Sequence, residues 1–172
     1  MSEPIPLRRG PADRASLDRL WIERHIPHRG RMCLLDEVVT WDATHIRCRA
    51  SSHRLPDNPL RAHGRLGAAC GIEYAAQAMA VHGAIMASRA GKPAAIGYLA
   101  SVRNLLLHVE RLDDLEADLI ASAGRLAGDE GSALYEFALT ALGQELVSGR
   151  VGIVFGRSVT GEVPGGPGQA AR

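Results

Sequence analysis

The residue of this sequence best suited to chemistry is Glu73, because it is the only formally charged residue between Leu66 and Ser88. A carboxyl group among apolar side chains either keeps its proton or finds a partner, so we expect the pKa of Glu73 to move towards neutral pH. Such a group can donate or accept a proton in a reaction. The alternative is that Glu73 only accepts backbone N–H groups in the first turn of a helix.

Gln77 follows Glu73 by four residues and therefore shares its face of a helix. His82 lies on about the opposite face, so we expect a hydrogen-bonded histidine there, either buried or at an interface, and no contact with Glu73. The helix is predicted to begin near Cys70 or Gly71 and to run to about residue 89, before Gly91 and Pro93. Neither face is charged, so other structure should enclose it.

Short apolar and alternating segments on both sides of this helix predict β-strands. Residues 45–51 alternate between apolar and polar side chains, and the turn at 42–44 joins them to an apolar run at 32–41. Residues 53–71 contain several Pro and Gly and are predicted as a loop. Four more strands are expected at 96–109, 115–126, 133–142 and 146–155. The order predicts an α+β fold in which an antiparallel sheet wraps around one α-helix.

Length and composition predict one globular domain in a chain of 172 residues. We expect an N-terminal arm at 1–24, the domain at 25–156 and a disordered, Gly- and Pro-rich tail at 157–172. The net charge of +1 gives no basic footprint for nucleic acid. The charged N-terminus predicts a cytoplasmic protein, the uncharged stretch lacks the apolar density of a membrane span, and the three cysteines are expected to be reduced.

The chain resembles the hotdog-fold 3-hydroxyacyl-ACP dehydratases over about residues 25–155. The resemblance rests on the string IPHRGRMCLLD at 26–36, on NPLR at 58–61 and on GIEYAAQAMAVHGA at 71–84. The branch it resembles most is the predicted dehydratase branch linked to aryl-polyene-like and fatty-acid-like pathways. It implies a hotdog fold and the conversion of 3-hydroxyacyl thioesters to trans-2-enoyl thioesters.

The resemblance also implies site residues. Glu73 falls on the family's helix acid, where a buried neutral carboxyl would donate a proton to the leaving hydroxyl, and Gln77 falls on the glutamine beside it. His63 is the candidate for the loop histidine, which acts as the base. Backbone N–H groups near Cys70 and Gly71 would hold the thioester oxygen. No metal or cofactor is required.

Other polar residues are expected in supporting roles. Arg61 and Arg65 are candidates for contact with phosphopantetheine or with an acidic carrier protein. His28, beside a proline, is expected to pack or to anchor a loop.

Acyl carrier protein and a second hotdog subunit are the implied partners. A homodimer or heterodimer would bring the acid of one subunit to the loop histidine of the other. Two alternatives remain open. One is a partner-dependent or non-catalytic subunit, whose best support is that Gly64-Arg65-Leu66-Gly67 replaces the aromatic and Pro-Gly residues that follow the family's histidine. The other is a hotdog acyl thioesterase in which Glu73 activates water.

Overall fold

The computed structural model describes residues 17–156 of the chain. The predicted tail and residues 1–16 of the predicted arm lie outside this range. Within it, the chain forms two α-helices, three single 3₁₀ turns and six β-strands. The helices are α1 (Arg19–His25) and α2 (Gly71–Arg89), and the strands are β1 (Glu37–Trp41), β2 (His45–Ala50), β3 (Gly97–Leu107), β4 (Leu119–Gly128), β5 (Ser132–Ala141) and β6 (Gln144–Phe155).

The six strands form one antiparallel sheet with the order β1-β2-β4-β5-β6-β3. Tight turns make its hairpins. The Asp42 carboxylate accepts the N–H groups of Thr44 and His45 between β1 and β2. Leu142 and Gly143 both have positive φ between β5 and β6, as expected for a two-residue hairpin turn. The predicted α+β fold and antiparallel hairpins are confirmed.

Helix α2 packs across the middle of the sheet, against β2, β4, β5 and β6. Its buried side chains include Tyr74, Ala78, Val81 and Ile85, and Gly71 packs against the sheet so closely that a Cβ there would lie 2.9 Å from the side chain of Leu139. The alternation predicted for β2 is also present, because Ile46, Cys48 and Ala50 are buried; the five buried positions of β5 are Ala133, Tyr135, Phe137, Leu139 and Ala141.

The first strand begins later than its apolar sequence predicts. Residues Gly30–Met32 form a 3₁₀ turn, and residues 33–36 are irregular although Cys33, Leu34 and Leu35 are buried. The main chain of Leu34 hydrogen-bonds to the side chains of Gln77 and Ser52, so it is not available to a sheet ladder. The buried residues of this segment therefore contact α2 and do not form a strand. Strand β1 starts at Glu37.

Helix α1 packs Ile22 into the core, and its N-cap is Asp18, whose carboxylate accepts the N–H of Trp21. The cysteines are free thiols, as predicted, with Cys33 and Cys48 buried. Neither described helix combines the length and the apolar character needed to cross a bilayer.

Candidate active site

Glu73 lies in the first turn of α2, where the positive end of the helix dipole favours a carboxylate. Its Oε1 atom lies 3.1 Å from Nε2 of His28 and 2.9 Å from Nε2 of Gln77. Within residues 17–156 both partners of Glu73 are side chains, so the alternative in which it only accepts backbone N–H groups does not describe this site. Within residues 17–156 no hydrogen bond reaches Oε2, and the Glu73 side chain is 32% exposed. One carboxylate oxygen is therefore held, and the other is open.

Gln77 is fixed by three hydrogen bonds and is itself fully buried. Its Nε2 donates to Glu73 and, at 2.8 Å, to the carbonyl oxygen of Met32. Its Oε1 accepts the N–H of Leu34 at 2.9 Å. Flipping the amide would place an oxygen against two other oxygens, so a single orientation fits. The spacing of four residues predicted that Gln77 shares the face of Glu73, and their hydrogen bond confirms it.

His28 reaches Glu73 through the segment that follows α1. The helix ends at the C-cap Ile26, Pro27 follows, and Gly30 takes the left-handed conformation that starts the 3₁₀ turn. Since a carboxylate only accepts, Nε2 of His28 is the donor, and Nδ1 is buried without a partner in residues 17–156. The expected packing or loop-anchoring role is thus only part of what His28 does, because it also binds the acid of the site directly.

The pKa of Glu73 moves opposite to the expectation from burial. Burial alone would raise it, but the hydrogen bonds from His28 and Gln77 outweigh burial and lower the pKa below the ordinary value of 4.5. Glu73 is therefore a carboxylate at neutral pH. The expected neutral, proton-donating form is wrong for the resting site.

The backbone N–H groups expected to hold the thioester oxygen are already occupied. The N–H of Cys70 donates to Gly67, and the N–H of Gly71 donates to the carbonyl oxygens of Ala68 and Ala69. The cause is the 3₁₀ turn Ala68–Cys70, which runs directly into α2 and uses the donors that an isolated helix would leave free. The predicted oxyanion role of Cys70 and Gly71 therefore lacks its donors.

His63 and the two arginines lie in the loop before α2. His63 is exposed, with φ +52° at a turn, and the single chain brings His28 and not His63 to Glu73. Arg65 is 56% exposed and lies 3.9 Å from Glu110. Arg61 instead pairs with the buried carboxylate of Asp113, which also accepts the N–H of Leu66. Arg61 therefore fastens the loop to the body of the domain.

Two other histidines are fully buried. His82 hydrogen-bonds through Nδ1 to the Tyr135 hydroxyl and through Nε2 to the Asp42 carbonyl, each at 3.0 Å, which agrees with the predicted buried and satisfied residue. His53, to which no role was assigned, donates from Nε2 to the carbonyl of Leu115 at 3.1 Å. The loop that holds His53 contains Pro and Asn and shows no alternation of apolar and polar residues, so the sequence does not indicate that His53 is buried. The only hint in the sequence is that this polar residue follows Ser52.

A groove of the described surface lies away from Glu73. It has a volume of about 350 Å³ and runs over β3, β4, β5 and β6, with Ser101, Leu134 and Gly152 among its lining residues. None of the residues that surround Glu73 lines it. Glu73, whose side chain is partly buried, therefore lies outside this groove.

Solved structures with the same fold include dehydratase and thioesterase proteins. The ApeI:P dehydratase heterocomplex from Xenorhabdus doucetiae matches with a TM-score of 0.72 and 24% identity, over 80% of this chain and 91% of that chain. A homologue of HP0420 from Helicobacter felis gives a TM-score of 0.53 and 11% identity, over 76% and 96% of the two chains. The thioesterase SAV0944 from Staphylococcus aureus gives 0.50 and 10%, over 69% and 91%. These likenesses establish the hotdog fold.

No protein in the curated set matches the chain significantly. The model of one family, ApeP-like, which is described as ApeP dehydratase, matches residues 20–160. This span includes α2, all of α1 except its first residue, the whole sheet, and the three residues His28, Glu73 and Gln77. The chain therefore belongs to the ApeP-like dehydratase family, in agreement with the hydro-lyase activity that its sequence predicts.

Proposed function

We propose that this dehydratase converts 3-hydroxyacyl groups, carried as thioesters on acyl carrier protein, to trans-2-enoyl groups in the biosynthesis of an aryl polyene or a related acyl chain. The observation that carries the proposal is the hydrogen-bonded Glu73 carboxylate, with Oε1 held by two donors and Oε2 open. A fixed carboxylate with one accessible oxygen is suited to moving a proton at an adjacent carbon.

Glu73 supplies the proton transfers of the reaction. Its Oε2 accepts the proton from C2 of the substrate, and the electron pair of the broken C–H bond forms the C2=C3 double bond. The C3–O bond breaks, and the hydroxyl leaves as water after taking the proton back from Oε2. The carboxylate is then regenerated, so protons and electrons balance. The low pKa of Glu73 supports this order, because the resting group is ready to accept a proton.

His28 and Gln77 are positioning residues in this scheme. Their two N–H groups keep Oε1 in place and direct Oε2 towards the open side. We propose His28 as the imidazole of the site, in place of His63. His63 enters the reaction only if a second chain brings its loop to Glu73.

The partner that we propose is a related hotdog subunit bound along β3. This strand is an outer strand of the sheet and lacks cover from α2 in the described chain. Its exposed apolar residues include Tyr98 at 59%, Leu99 at 46% and Leu106 at 54%. An unpaired edge with apolar side chains is a template for another strand, and the matched solved structure is a heterocomplex.

The proposed contact with the carrier protein is at Arg65. Arg65 is exposed in the loop before α2 and pairs only weakly with the exposed Glu110. A guanidinium in this position suits the phosphate of phosphopantetheine. A cytoplasmic location remains a prediction of the sequence.

The open edge also favours the second candidate, a subunit active only with its partner. The test is to supply the purified chain with 3-hydroxyacyl and saturated acyl thioesters on carrier protein. The chain is assayed alone and together with a hotdog subunit of the kind found in the ApeI:P heterocomplex. Mass spectrometry then identifies the product. Enoyl product from the chain alone supports the first candidate, and enoyl product only from the pair supports the second. Free acid as the main product would overturn both and indicate a thioesterase.

A further inference from the structure

A buried polar cluster lies behind the site, around the hydroxyl of Tyr74. Tyr74 follows Glu73 on α2 and is fully buried. Its hydroxyl lies 3.0 Å from Oγ of Ser52 and 3.0 Å from Nδ2 of Asn58. Ser52 and Asn58 are 4% and 5% exposed and belong to the segment that follows β2. Three polar side chains thus meet in the core, next to the proposed catalytic residue.

The donors and acceptors of this cluster are compatible with only one direction of hydrogen-bond donation. Ser52 uses its single hydrogen to donate to the Leu34 carbonyl at 2.8 Å, so the hydroxyl of Tyr74 must donate to Ser52. Asn58 donates from Nδ2 to Tyr74 and to the carbonyl of Ser52, and its Oδ1 accepts the N–H of Leu60. Each group therefore donates a hydrogen bond to the next, from Asn58 to Tyr74, from Tyr74 to Ser52, and from Ser52 to the carbonyl of Leu34.

Leu34 connects the cluster to the site. Its carbonyl accepts from Ser52, and its N–H donates to Oε1 of Gln77. The other end of the Gln77 amide donates to Oε1 of Glu73. An unbroken series of hydrogen bonds thus joins the Tyr74 hydroxyl to the carboxylate, although Tyr74 itself does not touch Glu73 through that hydroxyl.

We propose that Tyr74 is a positioning residue for the dehydration. Through Ser52 it holds the Leu34 main chain at the place where Gln77 needs it, and so keeps the hydrogen bond from Gln77 to Glu73. The inference rests on the proposed function of Glu73 and adds a residue to it. Buried polar networks of this kind fix one arrangement when every member is satisfied.

The substitution Tyr74→Phe tests the proposal on the full chain with its hotdog partner. It removes one hydroxyl and leaves the ring, so Ser52 and Asn58 each lose a partner. We expect kcat to fall about tenfold with KM nearly unchanged. The acid limb of the pH profile should move to higher pH, since a weaker hydrogen bond from Gln77 lets burial raise the pKa of Glu73.

Tyr135→Phe is the matched control. Tyr135 is also a buried tyrosine, 4% exposed, whose hydroxyl bonds to a side chain of α2, but that side chain is His82 on the other face. The control should lose thermal stability as Tyr74→Phe does and keep the wild-type kcat and pH profile. A merely structural role for Tyr74 would make the two variants alike.

Two further variants make the result decisive. Ser52→Ala removes the donor to Leu34 and should reproduce the shifted acid limb, which covers the case in which Tyr74→Phe does not fold. If either folded variant keeps the wild-type kcat and acid limb while Glu73→Gln is inactive, the proposal for Tyr74 is overturned and the proposed function stands. If Glu73→Gln is itself active, the proposed function is overturned, and the proposal for Tyr74 that rests on it is overturned with it.

Discussion

The Nε2 atom of His28 lies 3.1 Å from the Oε1 atom of Glu73 within a single chain. The segment after α1 therefore contributes to the site at the start of α2. The contact helps to hold Glu73 as a carboxylate despite its partial burial. It also leaves Oε2 as the atom that meets the substrate in the proposed reaction.

Replacement of His28 separates the two histidines that the site could use. His28→Ala removes one of the two donors to Glu73, so we expect kcat to fall about tenfold to hundredfold. The exposed loop residue is the matched comparison, and His63→Ala should keep kcat within about twofold. Steady-state assays of the two variants check this. Inactive His63→Ala beside active His28→Ala would return the role to a loop histidine acting between chains.

The pH dependence of turnover follows from the lowered pKa of Glu73. The carboxylate is the active form, and its pKa lies below 4.5 in the folded chain. Activity should therefore persist as the pH falls through 6 and 5, and decline only when Glu73 takes up a proton. Initial rates between pH 4 and 8 at constant ionic strength test this. An acid limb near or above pH 6 in the wild-type protein would contradict the lowered pKa of Glu73.

Stability should fall on mild acidification because of His82. Burial lowers its pKa below the ordinary value of 6.5, and the hydrogen bond to the Asp42 carbonyl offsets this only in part. The unfolded chain thus binds a proton that the folded chain does not, and the contribution is complete above pH 6.5 and is lost as the pH falls below it. Urea unfolding at pH 7.5 and 5.5 measures the loss. His82→Gln should be less stable at pH 7.5, and its stability should depend less on pH. An equal pH dependence in both proteins would contradict this assignment.

A charge on the open edge should prevent assembly. Leu106 is 54% exposed on β3, and Leu106→Lys would place an ammonium group where we expect a second subunit. Light scattering coupled to gel filtration should show a smaller species than the wild-type complex. Leu142→Lys is the control, because Leu142 is 89% exposed in the β5–β6 turn. Dissociation by Leu142→Lys, with Leu106→Lys unaffected, would place the interface elsewhere.

Local patterns in the sequence were sufficient to predict the fold. The alternation of Ile46, Cys48 and Ala50 with polar residues predicted β2 and its buried face. The uncharged stretch bounded by Gly91 and Pro93 predicted α2 to within about a residue. The spacing of Glu73 and Gln77 predicted their contact, since one helix determines it.

Contacts between distant segments were not predictable in this way. Nothing in the residues around His28 shows that the chain after Pro27 returns to α2, because the path depends on the 3₁₀ turn at Gly30–Met32. The buried Ser52 and Asn58 lie in a segment whose composition is typical of an exposed loop. The low pKa of Glu73 depends on the hydrogen bond from the distant His28 as well as on the one from Gln77, so burial alone predicted the opposite direction.

The central claim is that the Glu73 carboxylate carries the proton in dehydration. The most direct measurement is the rate of enoyl thioester formation by Glu73→Gln, with Glu110→Gln as the control, because the Glu110 side chain is 93% exposed. We predict that Glu73→Gln lowers kcat by about a hundredfold to ten-thousandfold, with an unchanged melting profile, and that Glu110→Gln matches the wild type. Enoyl formation by folded Glu73→Gln at the wild-type rate would contradict the account.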